Sequence, residues 1–160
     1  SDLRRQRQMC IRDRLWNLDD GSCERVFDHD SAIYSVALHA DRGIAVVGDY
    51  AGRVTVHDIE GDDGVMELGG HGGMIVSLAI SADGTRLFAG VLDSTIHVWD
   101  LDYGVDLLVL HEEFPPVALV LADEGRQLLS AHPSFVRVWD TRSPRERFAE
   151  RDGPVKPGSR

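Results

Sequence analysis

Apolar residues are gathered along this chain into short runs, set apart by turns rich in aspartate and glycine, and the same order of runs returns three times. Runs at 33–38 and 44–47 flank Asp41-Arg42-Gly43, runs at 75–80 and 87–91 flank Asp83-Gly84, and runs at 117–121 and 127–129 flank Glu124-Gly125. An acidic-glycine turn between two such runs reads as a β-hairpin. A third run follows each hairpin, at 53–57, 95–99 and 135–139. A fourth follows a further turn, carried by Asp62-Asp63-Gly64, Asp102-Tyr103-Gly104 or Arg142-Ser143. Each unit therefore predicts a four-stranded antiparallel meander.

The third runs end alike, in Trp99-Asp100 and Trp139-Asp140, with Trp16-Asn17 and His57-Asp58 at the matching places upstream. The spacings are 41, 42 and 40 residues. Each interval also carries a histidine, at His29, His71 or His111. Self-similarity near 40 residues is the length of a propeller blade. The middle unit is the fullest: Gly70-His71 opens it, Ser81-Ala82-Asp83-Gly84 makes its first turn, Asp93 precedes its third run and Val98-Trp99-Asp100 closes it. These residues resemble the WD-repeat, or β-transducin-like, β-propeller family. The neighbouring units depart from it, since Asp28-His29 and Leu110-His111 lack the glycine of Gly-His and His57 stands in the tryptophan place. The resemblance spans roughly residues 15–140. It implies an all-β partial β-propeller of about three complete four-stranded blades plus pieces of flanking blades, with repeats at roughly 18–58, 59–100 and 101–140 inside a propeller region of 15–150.

A four-stranded sheet cannot bury both faces by itself, so blades must stack against one another. Trp99 and Trp139 are expected in the inter-blade layer, where a ring buries ~150–250 Å². His57 is smaller and polar, which predicts looser packing at its blade. Propellers close with roughly four to eight blades, so this chain predicts an open arc whose edges favour association. The resemblance also implies a buried network in which histidine, a hydroxyl, an aspartate and the tryptophan N–H satisfy one another. Structural roles follow for His29, His71, His111, Asp93, Trp99 and Trp139. Ala89 holds the hydroxyl place of the middle unit, Val47 and Ala51 the hydroxyl and acid places of the unit ending at His57, and Leu129 and Pro133 those of the unit ending at Trp139. These departures predict blades held mainly by apolar packing.

The ends read differently. Residues 1–14 have no apolar periodicity, hold five arginines and resemble translated sequencing-adapter read-through, so they are set aside as non-native. Were they native, a basic arm for nucleic acid or an anionic membrane would be the reading. Residues 151–160, opening with Arg151-Asp152-Gly153, look like the start of a truncated further repeat or a tail. The whole reads as a fragment of a longer protein.

The formal net charge of −10 over 160 residues understates the acidity of the body, where residues 15–140 hold 6 arginines against 22 acidic residues. Such a surface repels phosphate backbones, so nucleic acid is not predicted as a partner. A basic protein partner and plain solubility are the two readings of that charge. No apolar stretch approaches the roughly 18 residues of a membrane span. Cys10 lies in the segment set aside and Cys23 is alone, which leaves no disulfide framework and is compatible with a reducing intracellular, cytoplasmic setting.

Chemistry is sparse. His29, His71 and His111 recur at repeat spacing and belong to successive blades, too far apart to share a metal ion. The alternating carboxylates from Asp58 fail the calcium-loop pattern, with Asp63 at its glycine position and Gly69 at its closing glutamate. The glycines around His71 lack phosphate-cradle spacing. There is no Gly-x-Ser-x-Gly elbow, and the side chains of Glu112-Glu113 should diverge. No catalytic residue, metal or cofactor is predicted. In the resembled family, partners meet the rim built by the loop into the first strand and the turn between the second and third. Those places hold Met74 and Phe114 on the loops and Tyr50, Leu92 and His132 on the turns, either as anchors for a partner or as cover for the next blade. The function this implies is a non-enzymatic protein-interaction scaffold. The alternative is a sensory or docking propeller domain of a larger kinase or protease whose catalytic part lies outside these residues, and a third reading is a small-ligand site in the central channel.

Overall fold

The computed structural model describes residues 11–61, 65–69 and 72–142. Among these described residues, thirteen strands run in four antiparallel sheets with no crossovers. The first sheet pairs β1 (Ile11–Trp16) with β2 (Cys23–His29). The second orders β3 (Ile33–His39), β4 (Ile44–Asp49), β5 (Val54–Asp58) and β6 (Val65–Leu68). The third orders β7 (Ile75–Ile80), β8 (Arg86–Val91), β9 (Thr95–Asp100) and β10 (Val105–His111), and the fourth β11 (Ala118–Ala122), β12 (Gln127–Ala131) and β13 (Val136–Asp140). The all-β blade architecture matches the expectation. Two sheets have all four strands; the fourth strand of the last sheet, expected near 145–150, lies outside the described residues. The expected further repeat at 151–160 lies outside them too. β1 starts at Ile11, so residues 11–14 of the segment set aside pair with β2, from Ile11 opposite His29 to Arg14 opposite Val26. No helix among the described residues is long and apolar enough to cross a membrane.

Local chemistry accounts for the hairpins. Gly43 and Gly84 sit at φ 59° and 71° in the first turns of their sheets, a left-handed conformation that a side chain would strain. A shift of register recurs 42 residues apart, between Ile33 and Ser35 and between Ile75 and Ser77, so both first strands bend at the same place.

The core lies between sheets. Val46, Val54 and Val56 of one blade meet Ile75, Leu87, Ala89 and Trp99 of the next. A smaller cluster joins Phe88, Ile96 and Val98 to Leu119 and Leu128, with Trp139 packed against it. The first strands are stitched by a repeating serine: the Ser35 hydroxyl donates to the Ile75 carbonyl at 3.0 Å, and the Leu119 N–H donates to the Ser77 hydroxyl at 2.9 Å. Bare backbone makes this approach possible. A Cβ on Gly48 would lie 2.7 Å from both Ile75 Cβ and Ser35 Oγ, and one on Gly90 would lie 2.8 Å from Pro116 Cγ. At the other end of the sheets, Arg42 reaches across to donate to the Gly84 carbonyl at 2.5 Å and to Asp102 at 2.8 Å.

His57 is buried. An apolar cleft of about 210 Å³ separates the β1–β2 sheet from its neighbour, lined by Phe27, Leu38, Val47 and His57 among others. Other apolar side chains stay in solvent, Val36 and Leu38 along that cleft and Val120, Val136 and Val138 on the last sheet.

Adding a methyl group at Gly48 should cost about 1–3 kcal/mol by overpacking, whereas Gly69→Ala, with nothing within 4 Å of the new atom, should be close to neutral. Urea unfolding of the two variants beside the parent chain checks this; equal midpoints would mean the blades have room to separate at no cost.

Candidate functional site

In the second, third and fourth sheets the loop into the first strand and the turn between the second and third leave from one end. The registers require it, pairing Ile33 with Asp49 and Gly48 with Val54, then Ile75 with Val91 and Gly90 with Ile96. Backbone bonds tie loop to turn: the Tyr50 N–H donates to the Ala32 carbonyl at 2.7 Å, and the Leu92 N–H to the Met74 carbonyl at 2.9 Å. Carboxylates hold the turns closed. Asp49 accepts the Arg53 backbone N–H at 2.8 Å and its Nε at 3.0 Å, while Asp93 accepts the Thr95 N–H at 3.0 Å and its hydroxyl at 2.5 Å. On this rim Tyr50, Leu92 and Phe114 are 66%, 49% and 52% exposed. Met74 is half-buried.

His132 is a correction. It lies on the expected turn, but its side chain is fully buried, stacked on Phe135 at a centroid distance of 4.4 Å. It belongs to a polar cluster around Glu112, whose side chain is also fully buried. Glu112 accepts from the Ser130 hydroxyl at 2.6 Å, from Arg137 Nη1 at 2.5 Å and from Trp139 Nε1 at 3.2 Å. Trp139 Nε1 also donates to Ser130 Oγ at 3.2 Å. His132 Nε2 stands 3.5 Å from Glu112 Oε1, an electrostatic neighbour whose geometry falls short of a hydrogen bond. The acid thus comes from the loop and the histidine from the turn, the reverse of the arrangement the resemblance implies.

Three expectations change with this cluster. His111 ends β10 exposed, and Glu112 beside it takes the buried place. The hydroxyl is supplied by Ser130, not by the position of Leu129, and the turn contributes His132, not Pro133. This last blade is therefore held by a polar network around Glu112 as well as by apolar packing, with both ring nitrogens of His132 buried without a hydrogen bond. The cause is a turn one residue shorter than in the other blades. Leu128 pairs with Trp139 as Leu87 pairs with Trp99, so counting ten residues back from the tryptophan finds Ala89 in one blade and overshoots Ser130 in the other. The shortened spacing of 40 between Trp99 and Trp139 was the available signal.

The other two blades solve the same position differently. Trp99 is 2% exposed, its ring stacked on His97 at 5.5 Å, and Ala89 fills the hydroxyl place without reaching solvent. His71, its expected network partner, lies outside the described residues, as do Asp62 and Asp63 of the acidic stretch. In the blade ending at His57, Phe27 packs on that imidazole at 4.5 Å and His29 meets it edge-on at 5.2 Å. Both ring nitrogens of His57 are buried without a hydrogen bond. Burial, with His29 and Arg25 nearby, lowers its pKa to about 4 from 6.5, so the ring is neutral in the fold.

Removing the shared acceptor by Glu112→Ala should cost about 3–5 kcal/mol, because Arg137, Ser130 and Trp139 lose their partner together; Ser130→Ala should cost about 1–3 kcal/mol. Denaturant unfolding at neutral pH separates the two, and a smaller loss for Glu112→Ala would sink the network's assigned role. For His57 the folded pKa lies below the unfolded one, so its contribution is complete above about pH 6.5 and is lost as pH falls toward 4. At ~1.4 kcal/mol per unit the loss approaches roughly 3 kcal/mol. His57→Phe should flatten that part of the stability profile between pH 7.5 and 4.5; an unchanged slope would reassign the acid sensitivity to other groups.

The family described as WD domain, G-beta repeat matches residues 63–100. The chain is similar to transducin beta-like protein 3 of Rattus norvegicus, 30% identical over 134 residues that cover 80% of this chain and 17% of that protein. It is similar to telomerase protein component 1 of Rattus norvegicus, 26% identical over 128 residues covering 79% of this chain and 5% of that protein. It is also similar to WD repeat-containing protein SL1-17 of Schistosoma mansoni, 26% identical over 135 residues covering 82% of this chain and 44% of that protein. The chain thus spans less than half the length of each of these relatives. With sheets repeating at blade spacing, tryptophans closing third strands and these matches, the chain belongs to the WD-repeat family.

Proposed function

We propose that these blades serve as a non-enzymatic platform on which protein partners assemble, with the rim that carries Tyr50, Leu92 and Phe114 as the contact surface. The observation that carries this reading is the exposure of three large side chains on turns and loops at one end of the sheets. Large rings and branched side chains held on closed turns lose little freedom on binding, which makes them efficient anchors. Phe114 is further supported by an edge-on contact with Phe135 at 6.4 Å, with Arg137 lying over Phe135 at 5.7 Å. Met74 contributes from a half-buried position, and His132 supports the rim from below. The acidic body favours a basic partner, which it would attract at longer range.

Tyr50→Ser and Phe114→Ser should each weaken capture of a protein partner roughly tenfold or more while leaving the melting temperature unchanged, the pair being read by quantitative pull-down and thermal unfolding. Loss of folding in both variants would instead assign these side chains to covering the neighbouring blade. Unchanged capture with unchanged melting would move the contact surface elsewhere on the arc.

A further inference from the structure

Arg86 opens β8 at the end of the sheets opposite the rim. Its guanidinium makes one hydrogen bond, from Nη1 to the Thr141 carbonyl at 3.2 Å, and no direct ion pair with a described carboxylate, although its charge acts on that of Asp83. That is unusual in a body holding 6 arginines against 22 acidic residues between 15 and 140. Two acids in its surroundings already hold other partners. Asp140 is held by Arg142 through two contacts of 2.9 Å. Asp83 accepts the Ser81 hydroxyl at 2.5 Å and the Thr85 hydroxyl at 2.9 Å.

Beside this cation the third and last sheets splay apart. They enclose a cleft of about 330 Å³ whose apolar walls include Leu107, Leu108, Leu110 and Trp139, and whose charged lining is Arg86 with the mutually paired Asp140 and Arg142. That volume falls at the lower end of the ~300–1,000 Å³ typical of small-molecule sites. Apolar walls alone would accept any hydrocarbon. A half-buried guanidinium with unused donors adds a demand for an anion, and its fork geometry matches a carboxylate.

We propose that this inter-blade cleft binds a small amphiphilic carboxylate, its hydrocarbon lying against Leu108, Leu110 and Trp139 and its head on Arg86. The site is separate from the rim and does not depend on the scaffold reading. Trp139 supplies the probe. Decanoate, titrated below its micelle concentration, should change tryptophan emission saturably, and calorimetry should find one site per chain. Decanol, of equal chain length and no charge, should bind at least tenfold more weakly. Arg86→Leu should lose at least tenfold in decanoate affinity, while Leu110→Trp, which fills the cleft and leaves the guanidinium, should abolish binding. Equal affinity for decanol and decanoate, unchanged binding by Arg86→Leu, or no saturable decanoate signal would each overturn the proposal. Should Arg86→Leu fail to fold, the decanol comparison on the unaltered chain still decides.

Discussion

The structure depends on how closely one blade's first strand can approach the second strand of the blade before it. Each sheet presents two faces and can hide neither alone, so nearly all the buried apolar surface is created between sheets. That contact is closest where Gly48 faces Ile75 and where Gly90 faces Pro116, and serines placed 42 residues apart hydrogen-bond across the same seam. Small residue and hydroxyl act together: the missing side chain lets the backbones approach, and the serine supplies a polar partner once they have. Behind this seam the larger side chains fill in, Val46, Val54 and Leu87 among those that reach complete burial.

Given that spacing, the end of each third strand becomes a position that must be filled, and the three blades fill it in three ways. Trp99 does so as a buried ring in the larger core cluster. His57 does so with a neutral imidazole packed on Phe27 beside an apolar cleft. Trp139 does so with its N–H anchored on Glu112 and Ser130. The last arrangement buries a carboxylate, which is tolerated because a guanidinium, a hydroxyl and an indole N–H all donate to it. The same cluster stacks His132 beneath Phe135, so a buried network sets the placement of an aromatic group beneath the rim.

The two ends of the sheets consequently differ in character. One end carries exposed aromatic and branched side chains on turns closed by carboxylates. The other carries arginines that cross between blades, Arg42 to Gly84 and Arg86 to Thr141. Both follow from antiparallel order, which sends alternate connections to opposite ends, but they present different chemistry to solvent.

Much of this was legible before any coordinates. The runs of apolar residues, the acidic-glycine turns and the recurrence near 40 residues specified the strands, their hairpin order and the blade as the unit, because a strand's alternation and a turn's glycine are local properties. The strand spans at 75–80 agreed residue for residue with β7, and the exposure of Tyr50, Leu92 and Phe114 suited the turn and loop positions assigned to them. What the linear pattern could not decide was which of two adjacent residues faces the seam. A turn shortened by one residue moves Ser130 into the place counted for Leu129, and sends His132 inward where a rim contact was expected, since side chains alternate between faces with a period of two. The reversal of acid and histidine around Trp139, and the placing of Arg86 beside the inter-blade cleft, were likewise settled only by tertiary structure. Both depend on distances between side chains of different strands or blades, and no spacing along the chain contains those distances.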